Sequence, residues 1–110
     1  MTNTIAIQAA VVTMLLAKRP RLAELPIDWH LRDSGAIDVD PVWGALPSQV
    51  VEIAQELSKA LRGARFEVSN ERRFATSDRP YRSHAVDGKQ SGIAIRFNGF
   101  EYLDGKGDEA

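Results

Sequence analysis

Asp28, His30, Asp38 and Asp40 carry the side chains in this chain best suited to holding a divalent ion. Residues two apart on a strand share a face, so a hairpin joining the two segments would bring one imidazole and up to three carboxylates within cross-strand reach. The plainer alternative is a solvated hairpin face with His30 merely paired to Asp38. It is favoured, because such a face is flat and a metal site needs a pocket and supporting partners. No metal or cofactor is expected.

Nucleophilic chemistry has fewer footholds. The chain contains no cysteine and two histidines, His30 and His84, and neither accompanies a Gly-x-Ser-x-Gly turn. Ser83 adjoins His84, but neighbours on a strand point to opposite faces and cannot act as nucleophile and base. Gly88, Gly92 and Gly99 follow hairpin patterns and none opens a helix, so no phosphate-binding glycine loop is present. The expectation is a protein without a catalytic arrangement.

Binding has more to offer. Arg72, Arg73, Arg79, Arg82, His84 and Arg96 fall in one segment with Phe74, and such a set could contact phosphates while the ring stacks on a base. Against this, 14 basic residues face 15 acidic ones and the net charge is −1, too little to draw the chain to nucleic acid in general. The charges are nevertheless segregated. Residues 23–58 hold Glu24, Asp28, Asp33, Asp38, Asp40, Glu52 and Glu56 against Arg32 alone, whereas residues 59–96 hold nine bases and four acids.

The elements that must position these groups follow from periodicity. A first helix, capped by Asn3 or Thr4, is expected to run to Lys18 and stop before Pro20. Its apolar residues (Ile5, Ile7, Val11, Val12, Met14, Leu15 and Leu16) cover more than one face, so it is either deeply packed or shared with another chain. It is too short to span a bilayer and lacks the basic start and small-residue end of a signal peptide. A hairpin follows, with a turn at Asp33-Ser34-Gly35 setting Leu31 against Ile37, Trp29 against Val39, His30 against Asp38 and Asp28 against Asp40. Trp29 then belongs to the core. Trp43, in a connector between prolines, is the better candidate for an exposed interface anchor.

Ser48 is the expected cap of a second helix, with Val50, Ile53, Ala54, Leu57 and Leu61 on its buried face and Gly63 closing it. Residues 65–68 read as a strand and 69–80 as a long loop with a short strand near Phe74. Asp87-Gly88 and Asn98-Gly99 are both hairpin signals. The second would set Phe97 against Phe100. The first would bury Arg82, so a one-residue shift is expected, made by a bulge near Ser91-Gly92 or by a longer loop, placing Ser83 opposite Ile93 and Arg82, His84 and Arg96 on the outer face.

The predicted fold is α+β, with two helices on one face of a mainly antiparallel sheet in the order α-β-β-α-β-β-β-β. With 44% apolar and 26% charged residues, residues 1–104 suit a single domain and 105–110 a frayed polar tail. Pro26 to Trp29, Gly35, Val50 to Leu61 and Val86 to Ile95 are laid out in a way that resembles small uncharacterised actinobacterial proteins and those of their phages, and the resemblance implies this fold without implying an activity. The lack of cysteine fits a reducing, cytoplasmic setting. The resulting expectation is a non-catalytic protein-binding or regulatory module, with self-pairing as one form of contact; the alternatives are a nucleic-acid accessory protein using residues 72–96 and, least favoured, a metal enzyme on the first hairpin.

Overall fold

The computed structural model describes residues 4–74 and 77–106. Helix α1 spans Thr4–Lys18 and is followed by a 3-10 turn, Pro20–Glu24. Strands β1 (Ile27–Leu31) and β2 (Ile37–Pro41) precede helix α2 (Pro47–Ala60). Strands β3 (Arg62–Val68), β4 (Arg72–Phe74), β5 (Ser77–Gln90) and β6 (Ile93–Tyr102) complete the chain. They form one mostly antiparallel sheet in the order β1-β2-β6-β5-β3, with β4 also paired to β5. The exception is β2, which runs parallel to β6, placing Ile37 beside Ile95 and Val39 beside Phe97.

The first hairpin has the expected register at every paired position from Asp28↔Asp40 to Leu31↔Ile37. The late strands differ from expectation. Tyr81 to Gln90 pair continuously with Ile93 to Tyr102, and the chain reverses at Ser91-Gly92. Both turn residues have positive φ (53° and 77°), the geometry of a type I′ hairpin. Asp87-Gly88 and Asn98-Gly99 therefore lie inside strands, no hairpin forms at Asn98-Gly99, and Ser83 faces Phe100 rather than Ile93. Two long strands replace the three expected there, while β4 is the short strand expected near Phe74.

Packing explains the two interior glycines. A Cβ on Gly88 would lie 2.6 Å from Leu61 Cβ, and one on Gly99 would lie 2.8 Å from Val50 Cγ1. Glycine lets α2 and the residue after it approach the sheet.

Helix α2 starts two residues earlier than expected. Leu46 is its N-cap, Pro47 occupies the first turn, and the Gln49 side chain accepts a hydrogen bond from the Leu46 amide. At the other end Leu61 is already extended, so Gly63 belongs to β3 and not to a helix cap. Val50, Ile53, Ala54 and Leu57 pack with Val39, Val86, Ile95 and Phe97 in the core.

The helical layer is uneven. Helix α2 lies on β3, β5 and β6, whereas α1 meets the 3-10 turn and β1. Only Gln8, Val11 and Leu15 of α1 are buried. Gln8 Nε2 donates to the carbonyls of Arg32 and Ala36, both 2.8 Å away, tying the helix to the β1–β2 turn. Farther along, Ser91 Oγ donates to Met14 Sδ, and Lys18 Nζ donates to the Ala60 carbonyl at 2.6 Å, satisfying the C-terminus of α2. The expected Asn3 cap and the tail beyond Lys106 lie outside the described residues.

Candidate functional site

The outer face of the first hairpin carries Asp28, His30, Asp38 and Asp40, as its register requires, but they do not converge. His30 Nε2 sits 3.2 Å from Asp40 and Arg32 Nε 2.7 Å from Asp38, so the polar groups are divided into separate pairs. Among the described residues no three or more His, Cys, Asp or Glu side chains are grouped to hold a metal. Arg32 was missing from the expected pairing, although its place two residues beyond His30 already puts it on that face.

The basic candidates are split between the two faces of the sheet. Residues paired across strands share a face, so Val86 opposite Phe97 marks the helix side, and His84 and Arg82, two and four residues away, lie there too. This corrects the outer-face placement, and its cause is the shifted turn. His84 is 5% exposed, its Nε2 shares a 2.9 Å hydrogen bond with Glu101 Oε1, and its Nδ1 is buried with no partner among the described residues.

On the outer face Arg96 approaches Asp87 at 3.6 Å. Arg79 binds Asp104 at 2.8 Å and lies over the Tyr102 ring, 3.9 Å from its centroid. Arg73 bonds to the Asp78 carbonyl, and Arg72 is exposed on β4 opposite Tyr81. Phe74 is stacked on Tyr81 with ring centroids 4.4 Å apart, and Phe100 meets both rings edge-on. The ring expected to receive a base is thus part of an aromatic cluster that packs where β4, β5 and β6 meet. That cluster was legible only after the register, because its members come from three strands.

Much of the acidic segment is neutralised locally. Glu56 accepts from Arg19, and Glu52 from Arg21, whose hydrogen bonds hold the Glu52 carboxyl below its ordinary pKa. Both arginines come from the chain between α1 and β1, so these pairs clamp that segment against α2.

Two features are left outward-facing. Trp43 is 69% exposed in the connector before α2. On α1, Ile5, Ile7 and Met14 are exposed, and the helix has no charged residue between Thr4 and Ala17. Ile7, Ala10, Met14 and Ala17 recur at spacings of three and four, forming an exposed stripe beside the buried one of Gln8, Val11 and Leu15. Comparison with protein-family models, curated proteins and solved structures finds no match, and the geometry of the chain itself is what bears on function.

Proposed function

We propose that the protein is a non-catalytic contact module that pairs with a second copy of itself through the outward face of α1. The observation that carries this reading is the uncharged, exposed stripe of Ile7, Ala10, Met14 and Ala17. A helix with one face in water ordinarily carries charged groups there. This one presents a second apolar stripe, with the three-four spacing used by helices that pack along a seam.

A second copy is the favoured partner because a two-fold contact must be complementary to itself. An uncharged stripe meets that condition without like-charge repulsion, and Ala10 and Ala17 let two helices come close. Trp43 is an additional exposed aromatic available to another protein.

Sedimentation across a wide concentration range tests the reading, with Ala10→Glu as the comparison. The wild-type chain should shift from monomer to dimer as concentration rises, while the variant stays monomeric with unchanged helical content. A wild-type chain that remains monomeric up to millimolar concentration would refute it.

A further inference from the structure

Most of the arginines in this molecule are engaged: Arg19, Arg21, Arg32, Arg73, Arg79 and Arg96 each pair with a carboxylate. Arg62, Arg65 and Lys89 have no ion-pair partner among the described residues. Arg62 and Lys89 also stand directly opposite each other in the β3–β5 ladder. Like charges in that position repel and weaken the pair. The register shifts between Arg62 and Arg65, with Gly63 at φ 61°, and such bulges re-aim side chains beside functional sites.

Lys18 reaches the same place from the end of α1. With Arg62, Lys89, Gln90 and Ser91 it lines a cavity of about 350 Å³ that has no carboxylate in its wall. A neighbouring cleft of about 370 Å³ shares Arg62 and Lys89, adds Arg65 and Arg96, and has Asp87 as its carboxylate. The two clefts form a continuous cationic path from the end of the helical layer to the outer face of the sheet.

We infer that this end of the molecule binds a phosphate-bearing anion of several negative charges, of the size of tripolyphosphate. Arginine offers a planar fork of donors to phosphate oxygens and lysine a compact charge. Lys18 gives one donor to Ala60 and keeps two. The Gln90 amide supplies a further, neutral donor. Neither lining contains an aromatic side chain, so the ligand is held by its phosphates and not by stacking on a base. A bound anion would also remove the repulsion between Arg62 and Lys89, so binding should stabilise the fold. These phosphates could belong to a free polyphosphate or to a nucleic-acid backbone.

The site is tested by calorimetric titration and thermal melting at low salt with sodium tripolyphosphate, and separately with a random duplex oligonucleotide. Tripolyphosphate should bind the wild-type chain and raise its melting temperature. Arg62→Gln with Lys89→Gln should weaken binding by about ten- to hundredfold per cation removed. That double variant loses a repulsive pair, so it should melt no lower than wild type when unliganded; Lys18→Gln, outside the ladder, gives an independent loss should it do otherwise. Binding of tripolyphosphate alone assigns the site to a free ligand, and mutual competition between the two probes assigns it to a nucleic-acid backbone. Absence of binding by both probes, binding unchanged in the variants, or equal affinity for polyglutamate would each overturn the inference.

Discussion

Gly99 of β6 lies directly beneath Val50 of α2, and no side chain fits between them. A Cβ there would stand 2.8 Å from Val50 Cγ1, 2.7 Å from Phe97 Cζ and 3.0 Å from Pro41 Cγ. Both Val50 and Phe97 belong to the core, so neither can move away without disturbing it. Gly99→Ala should therefore destabilise the protein by about 1–3 kcal/mol through overpacking, measured by urea unfolding. A variant as stable as wild type would mean that α2 sits farther from the sheet.

The same contact explains why the late strands could not be read correctly from the chain. Asn98-Gly99 and Asp87-Gly88 have the residue types of tight turns, and local chemistry does not reveal that Val50 and Leu61, 49 and 27 positions earlier, need those glycines for close approach. The first hairpin was legible because Ile27, Trp29 and Leu31 alternate cleanly and its partner is adjacent in sequence. Misplacing one turn moved Arg82 and His84 to the wrong face, since a single-residue slip exchanges the faces of a strand. Arg62, Lys89 and Lys18 were visible as charges, but their meeting depends on a non-local ladder and on the path of α1.

Gln8 makes a polar contact that an apolar side chain cannot replace. Its amide donates to two carbonyls of the β1–β2 turn and is fully buried in doing so. Gln8→Leu leaves both carbonyls without that donor and should cost about 1–3 kcal/mol. Gln8→Glu should cost more, because a carboxylate would then face two carbonyl oxygens in a buried site. Equal stability of the three proteins in denaturant titrations would show that the turn is held by something other than Gln8.

His84 depends on Glu101 in a similar way. Glu101 is the one hydrogen-bond partner that the buried ring has among the described residues, since Nδ1 lacks one. Glu101→Ala should lower stability by about 1–3 kcal/mol by leaving a buried polar ring unsatisfied. Exposed Arg96, whose contact with Asp87 is longer and solvated, provides the contrast: Arg96→Ala should change stability by less than about 1 kcal/mol. Equal effects at the two sites would show that the burial of His84 carries no energetic weight.

Asp104 gives the clearest dependence on pH. Its carboxylate accepts hydrogen bonds from Arg79 Nε at 2.8 Å and Nη2 at 3.1 Å and from the Lys106 amide at 3.0 Å. Arg79, followed by the Lys106 amide, lowers its pKa from 3.8 to about 2. A lowered carboxyl pKa means that the folded chain favours the ionised form. The contact is therefore complete above the ordinary value and is lost as pH falls from 3.8 through about 2. Because Arg79 lies at the start of β5 and Asp104 just past β6, protonation should loosen this end of the strand pair first. Carboxyl chemical shifts followed by NMR should show Asp104 titrating near 2 in the wild-type protein and moving up towards 3.8 in Arg79→Gln, with faster exchange of the Lys106 amide at the acidic end. Titration at the ordinary value with Arg79 in place would show that the pair does not persist in solution.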